Sequence, residues 1–424
     1  MRRRSSTRGK WARRPGTCCC SRQRTNRHCW RGWPTSKRNS RARSAPTGSC
    51  HRTSTICAIP CETRPDRQLA QLPFPQQNQG SRVKALQKIA PAFGLEWRDV
   101  PSPTIDATDD VIVEVAAAGV CGSDVHIYDW SGGYDFVTPA MPVTIGHEFA
   151  GVVVARGCDA GSLALGQRVV VIPSVECNVC GHCVAGRPDD CQDRRGIGML
   201  RDGAFAQFVK VPARNCLPLP DGFDLSVAAL CEPLSIALSA VETGDVHTAD
   251  KVLVLGPGSI GQAIALLAEQ RGAQVVVAGY DDEQRLAGVR ALGIERTVDL
   301  KYQSPRDAVA LAGTDAFDVV IDAAGVQSAV DSGLAVLRAS GVMVLCGIHA
   351  NRVTFDGARF VRMRHQIRGT YRATRRTWQN VVNFVIANEA YLARLISHRL
   401  PLADALVSFD LAKSKVIGKI MLIP

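Results

Sequence analysis

The sequence lacks any run of about 18 apolar residues, so we expect no transmembrane helix. It also has few acidic residues at its start. Residues 1–82 contain 19 Lys and Arg but only two acids, Glu62 and Asp66. Residues 83–424 contain 32 basic and 37 acidic residues. The net charge of +12 therefore belongs to one segment, which argues against a nucleic-acid-binding role for the whole protein. No internal repeat is visible.

Residues 1–82 are rich in Arg, Ser, Thr and Pro and show neither helical nor strand periodicity. We expect disorder, because such a segment buries too little apolar surface to offset its ordering entropy. Three interpretations stay open. The segment is a targeting peptide, a basic arm that binds nucleic acid, or non-native sequence translated from upstream of the true start codon. In the third, the protein begins at Val83-Lys84-Ala85-Leu86, since Val can mark an alternative start codon.

The remaining chain changes character at about residue 251. Residues 83–230 predict short strands, among them Val111–Val115 and Gly151–Val154. Beyond residue 251, strands and helices alternate, which predicts a parallel sheet with right-handed crossovers. The predicted elements are strands 251–255, 274–278, 317–321 and 341–345, helices 260–271, 283–292 and 327–337, and near the end a helix 378–387 and a strand 418–423.

A glycine-rich turn joins the first predicted strand of this region to its helix. Gly256-Pro257-Gly258-Ser259-Ile260-Gly261 has the G-x-G-x-x-G pattern of a dinucleotide site in the strand–turn–helix context that the pattern requires. Its glycines allow the turn and the approach of a pyrophosphate, and the helix N-terminus faces the phosphates.

The tip of the second strand should select between NAD and NADP. Tyr280 occupies the place where an acid indicates NAD, but Asp281 follows and can reach the ribose 2′-hydroxyl. The nearest basic residue, Arg285, is on the next helix. We therefore predict NAD, with NADP as the alternative. The predicted cofactor-binding residues are Gly256, Gly258, Ile260, Gly261, Asp281, Arg285 and Ile348.

Two constellations have the residue types of zinc sites. Nine cysteines lie in 83–424, and the cluster Cys177, Cys180, Cys183 and Cys191 can close a tetrahedral shell, which predicts a structural ion. The second set is dispersed and leaves a coordination position open, as catalysis requires. Its candidate ligands are Cys121, His147, and either Glu148 or Glu232.

Together these motifs resemble the zinc-dependent medium-chain alcohol dehydrogenases, in the threonine, sorbitol and butanediol dehydrogenase branch. The resemblance covers about Val83 to Pro424. It implies an α/β protein with a GroES-like β-barrel catalytic domain and a doubly wound Rossmann domain. The implied domains are 83–235 with the zinc lobe, 236–371 for NAD(P), and 372–424 returning to the barrel, after the extension 1–82.

The resemblance also implies a reaction. Zinc would polarise the oxygen of a small secondary alcohol, such as a polyol, a diol or a threonine-like compound, and hydride would pass to NAD(P). We predict Ser123, His126 and Glu148 as catalytic residues, with Ser123 and His126 forming a proton relay to solvent. We expect two zinc ions per chain and a cytoplasmic homodimer or homotetramer, without membrane or nucleic-acid partners.

Two alternatives belong to different functional classes. One is a non-catalytic zinc protein that senses NAD(H), against which the open coordination position argues. The other is a zinc-free quinone or enone reductase of the same superfamily, against which both zinc constellations argue. Metal analysis separates the reductase from the zinc proteins, and turnover separates the enzyme from the sensor.

Overall fold

A computed structural model of the chain describes residues 81–415 and 418–424. The expectations for residues 1–80 lie outside this range, and the first strand begins at Arg82, one residue before the predicted start of the body. Residues 82–243 form strands β1 (Arg82–Lys88), β2 (Glu96–Pro101), β3 (Asp110–Gly119), β4 (Val143–Thr144), β5 (Glu148–Arg156), β6 (Arg168–Val171), β7 (Ser174–Val175), β8 (Arg195–Gly196), β9 (Phe208–Pro212) and β10 (Cys216–Pro218), and helices α1 (Gly122–Asp129), α2 (Gly181–Val184), α3 (Leu225–Ala229) and α4 (Cys231–Thr243).

The segment from α3 through α4 is the most apolar helical stretch of the described residues. Leu225–Thr243 meets the length and composition of a membrane span, which the sequence was not expected to contain. However, 83% of its most apolar window is buried inside the protein. It is therefore the core helix of a globular fold, where apolar residues on all sides are normal.

The second region alternates strands and helices, as predicted. It consists of β11 (Lys251–Leu255), α5 (Ser259–Gln270), β12 (Gln274–Gly279), α6 (Glu283–Ala291), β13 (Thr297–Asp299), α7 (Pro305–Leu311), β14 (Phe317–Asp322), α8 (Gln327–Val336), β15 (Leu337–Leu345), α9 (Gly357–Met363) and β16 (Gln366–Gly369). The six strands are parallel in the order β13-β12-β11-β14-β15-β16. The order reverses around β11 and β14, which is where doubly wound sheets bind ligands.

The last residues return to the sheet that contains β3. They form α10 (Arg375–Ala387), α11 (Glu389–Leu392), β17 (Ile396–Pro401), α12 (Ala405–Lys413) and β18 (Lys419–Ile423). Strand β18 pairs with β3, so the main sheet runs β10-β6-β5-β3-β18-β17, with β9 also on β3. Strand β18 thereby lies beside β3, second from one edge of that sheet.

Candidate active site

Three side chains from two segments of the chain converge on one point. Cys121 precedes α1, whereas His147 and Glu148 lie at the start of β5, and their ligand atoms lie within 4.8 Å of one another. His147 is 6% exposed and Glu148 is fully buried. A thiolate, an imidazole and a carboxylate at this spacing are the donor set of a zinc ion. The structure thus brings together three of the four predicted ligands.

Buried charges hold both β5 ligands in place. Nδ1 of His147 lies 3.3 Å from Oδ1 of the buried Asp124, which leaves Nε2 for a metal. Burial alone lowers the pKa of His147, but its interactions with Asp124 and Cys121 outweigh this effect and raise it. Nζ of Lys419 lies 2.6 Å from Oε1 and 2.5 Å from Oε2 of Glu148.

Glu232, the fourth predicted ligand, lies at the start of α4 and is 7% exposed. Burial raises its pKa to about 7, and the neighbouring Glu148 charge acts in the same direction. With His147 neutral, as a metal ligand must be, the site contains several buried groups that ionise to anions and, among the described residues, the ammonium of Lys419 to balance them. Such an excess of negative charge suits a divalent cation, which would compensate it.

The four-cysteine lobe is a second candidate metal site. The sulfur atoms of its four cysteines lie within 4.8 Å of one another, and those of Cys177 and Cys191 are 3.5 Å apart. This distance is far too long for a disulfide but close to the edge of about 3.8 Å that a zinc–sulfur tetrahedron would have. Backbone N–H groups of Cys183 and Gln192 lower the pKa of Cys180 to about 6, which favours the thiolate needed for metal binding.

A cavity of about 300 Å³ connects the candidate zinc site to the parallel sheet. Its lining is mostly apolar and combines residues of the first region with the loops that follow β11, β14, β15 and β16. It is lined by Cys121, Ser123, His126, Tyr134, His147, Ile197, Met199, Glu232, Ile236, Ile260, Ala323, Cys346, Gly347, Ile348, Tyr371, Arg372 and Trp378, among others.

The predicted relay residues have different partners from those expected. His126 is exposed, and its Nδ1 lies 2.7 Å from the hydroxyl of Ser131 rather than bonding Ser123. Ser123 instead interacts with Tyr134, a cavity residue that is 7% exposed. Burial raises the pKa of Tyr134, against the effect of that interaction. The Tyr134 ring stacks on His126, with centroids 5.9 Å apart.

The glycine turn has the geometry that its sequence predicts. Gly256 has a φ of +107°, and a Cβ on Gly261 would lie 1.8 Å from the Gly256 carbonyl oxygen. Only glycine fits these positions. Ile260 and Ile348 both line the cavity from the carboxyl end of the parallel sheet. A dinucleotide on this turn would therefore extend toward the candidate zinc site.

The tip of β12 is electrically balanced. Asp281 lies 2.8 Å from Nζ of Lys301, and Nε of Arg285 donates to both carboxylate oxygens of Asp282 at 2.8 Å. The Arg285 guanidinium also lies 3.5 Å from the position that a Cβ on Gly258 would occupy. Both residues expected at the cofactor ribose are thus present at the turn, but each already has a partner of opposite charge.

Three site residues were missed by the sequence analysis: Tyr134, Arg372 and Lys419. Tyr134 and Lys419 stand in segments without a motif, so nothing in the sequence singles them out. Arg372 follows β16 at the carboxyl edge of the parallel sheet, where ligands of such sheets bind, and that rule could have identified it.

Comparisons with known proteins agree with this arrangement. Residues 107–221 match the family described as "Alcohol dehydrogenase GroES-like domain", and residues 259–387 match "Zinc-binding dehydrogenase". L-threonine 3-dehydrogenase of Bacillus subtilis is 33% identical, covering 82% of this chain and all of the relative. The enzyme of that name from Photobacterium profundum is 31% identical, covering 80% of this chain and 99% of the relative.

A solved structure is similar over the same region. A zinc-binding dehydrogenase from Sinorhizobium meliloti, bound to NADP, is 30% identical with a TM-score of 0.71, and the match covers 81% of this chain and all of the other. The family match over residues 107–221 includes Cys121, His147, Glu148 and the four-cysteine lobe. The chain belongs to the zinc-dependent medium-chain alcohol dehydrogenases, the oxidoreductases that transfer hydride from an alcohol to NAD(P).

Proposed function

We propose that the protein oxidises a small secondary alcohol of the polyol, diol or threonine type, with NAD as the preferred acceptor. The observation that supports this most strongly is the shared cavity, which has Cys121, His147 and Glu232 on one side and Ile260 and Ile348 on the other. An alcohol in this cavity would lie between a metal and a nicotinamide ring, as hydride transfer requires.

We assign Cys121, His147 and Glu148 as resting ligands of a catalytic zinc, with Glu232 as the alternative carboxylate. Zinc bound there supplies Lewis acidity that lowers the pKa of the alcohol hydroxyl. The residues around it orient the donors, since Asp124 holds the His147 ring. A second zinc in the four-cysteine lobe is structural, because four thiolates leave no open position.

The alcohol proton needs a route out of the cavity. Ser123 is the first acceptor in this proposal, and the hydroxyl of Tyr134 is the next group along the route. His126 and Ser131 stand at the surface, where an imidazole exchanges protons with water. The mostly apolar walls exclude water from the hydride path, which strengthens the electrostatic interactions inside.

The preference for NAD rests on Asp281, whose carboxylate would repel a 2′-phosphate. Lys301 offsets part of that repulsion, so we expect the discrimination to be small. We further propose a cytoplasmic homo-oligomer. In support, the nine cysteines of the described residues are free thiols, as in a reducing compartment, and β16 ends its sheet as an edge strand able to pair with a second copy.

The test is an assay of purified protein with polyols, diols and threonine, each with NAD and with NADP, following absorbance of the reduced cofactor. We expect turnover that is lost on chelation and restored by zinc. The Cys121→Ala variant should be inactive under all conditions. Turnover that survives complete zinc removal would favour the zinc-free reductase, and NAD(H) binding without any turnover would favour the sensor.

A further inference from the structure

Two loops that leave the carboxyl edge of the parallel sheet form one wall of the cavity. The loop after β14 contributes Ala323 and Ala324, and the loop after β15 contributes Cys346, Gly347 and Ile348. The predicted ribose contact lies at the tip of β12, on the other side of β11, so the nicotinamide half of a bound cofactor would extend over β14 and β15. This wall would therefore face the ring that accepts hydride.

A buried aspartate connects the two loops. Asp322, the last residue of β14, is fully buried. Its Oδ1 accepts hydrogen bonds from the backbone N–H groups of Ala324 and Gly325, at 2.9 and 3.0 Å. Its backbone carbonyl accepts from the N–H groups of Cys346 and Gly347, both at 2.9 Å. One residue thus bonds four backbone amides, two in each loop.

His349 supplies the partner of the second carboxylate oxygen. Its Nε2 lies 2.7 Å from Oδ2 of Asp322, and its side chain is 12% exposed. An ionised carboxylate only accepts hydrogen bonds, so the imidazole N–H is the donor. A hydrogen bond to a buried charge is among the stronger ones, because little water competes for it. The imidazole therefore fixes the residue that directly follows Ile348 to the end of β14.

Two further contacts restrict the movement of this wall. A Cβ on Gly347 would lie 2.2 Å from the backbone nitrogen of Gly325, so the two loops touch through their backbones. Farther along, the side-chain amide of Gln327 donates to the carbonyl of Thr354 at 2.7 Å and accepts from its N–H at 2.9 Å. The loop after β15 is thus attached at two points, by His349 near its start and by Gln327 farther on.

We propose that His349 is a positioning residue for the nicotinamide ring, because it holds the wall formed by the two loops in the conformation against which the ring packs. This inference rests on the proposed function, since it requires a nicotinamide cofactor in this cavity. A wall that is fixed before binding costs less ordering free energy when the ring arrives. Without the imidazole, one carboxylate oxygen of Asp322 would be buried and unpaired, and the loops would shift to give it a partner.

A pair of ligands separates the ring from the rest of the cofactor. ADP-ribose has the adenosine, the pyrophosphate and the second ribose of NADH but no nicotinamide. Each is titrated calorimetrically into the zinc-loaded protein, and the 2′-phosphorylated forms replace both if the protein binds only NADPH. We expect the unmodified protein to bind NADH more tightly than ADP-ribose. His349→Leu should weaken NADH binding about five- to tenfold, the range of one hydrogen bond, and leave ADP-ribose binding unchanged.

Three further variants identify the atom responsible. His349→Gln should restore most of the NADH affinity, because its amide nitrogen can take the place of Nε2 and donate to Asp322. His349→Asn is polar but too short for that contact, so it should behave like His349→Leu, which it replaces if the leucine variant does not fold. His247→Ala is the matched control and should bind both ligands normally. This histidine also faces a carboxylate, with Nε2 3.7 Å from Asp245, but its side chain is 68% exposed.

The inference is wrong if the unmodified protein binds NADH and ADP-ribose equally, because the ring then gains nothing from the wall. It is also wrong if His349→Leu weakens both ligands equally, which indicates a general loss of structure, or if folded His349→Gln binds NADH as weakly as His349→Leu. Failure of the proposed function is separate. It shows as zinc-loaded protein that oxidises no alcohol, whereas these binding ratios need no turnover.

Discussion

Replacing Lys419 with methionine should destabilise the metal-free protein strongly. The side chains of Lys419 and Glu148 are 3% and 0% exposed, and the ammonium lies within 2.6 Å of both carboxylate oxygens. A Cβ on Gly119 would lie 2.3 Å from Oε2 of Glu148 and 3.1 Å from Cε of Lys419, so the pair is tightly covered. Removing one partner of a buried ion pair costs about 3–5 kcal/mol, because the remaining charge has no solvent.

The assay is urea denaturation of chelator-treated protein, with the first unfolding transition followed by intrinsic fluorescence. Lys413→Met is the control, since Lys413 and Asp129 lie 2.5 Å apart but their side chains are 34% and 31% exposed. Exposed pairs contribute at most about 1 kcal/mol, so the control should change little. The double variant Lys419→Met/Glu148→Gln should lose less than the sum of the single losses, because it leaves no unpaired charge.

Zinc should reduce the loss of stability caused by Lys419→Met. The ion would replace the missing positive charge beside Glu148, so the stability gained on adding zinc should be larger in this variant than in the unmodified protein. If Lys419→Met and Lys413→Met lose the same free energy without metal, the reasoning from the buried pair is refuted. If their losses differ but zinc helps both equally, Glu148 lies too far from the ion to be a ligand.

The remaining predictions concern zinc, cofactor choice and the proton route. Elemental analysis should give two zinc ions per chain, the open-site ion leaving first on chelation, and Cys180→Ser should lower thermal stability more than kcat. Lys301→Met should raise the NAD-over-NADP ratio of kcat/KM severalfold, because Asp281 then meets the 2′-phosphate alone; an unchanged ratio argues against that contact. Tyr134→Phe should lower kcat more than His126→Ala, with zinc content unchanged in both, and the reverse order would place the imidazole first in the relay.

The parallel-sheet half of the fold could be predicted closely because its signals are local. Strand β11 has the predicted bounds, and α5 begins one residue before its predicted start. Both follow from apolar periodicity and from the G-x-G-x-x-G spacing, which indicates the glycines that the turn requires. The short strands β13 and β16 were missed, because a sheet edge buries fewer side chains and leaves little hydrophobic pattern to detect.

At the candidate site, too, some residues could be predicted from the sequence and others could not. The metal-binding residues could be identified from the sequence because the side chains of Cys, His and Glu have metal-ligating atoms in any fold. Their supporting contacts could not, since Lys419 is 271 residues from Glu148 and no local spacing connects them. Likewise Arg285 was the only basic residue expected near Asp281 until the fold placed Lys301 beside it. Charge balance at a site is a property of the folded chain.

The relay shows why spacing alone can mislead. Ser123 and His126 are three residues apart on α1, which places them on one face of the helix and made a direct link plausible. The loop after the helix changes both partners, because Ser131 takes the imidazole and Tyr134 covers the Ser123 hydroxyl. In the proposed route, a proton leaving Ser123 would meet the buried phenol of Tyr134 before the exposed imidazole of His126. The phenol ring stacks on that imidazole, and both residues line the cavity, so the proposed route would follow the cavity wall to the surface.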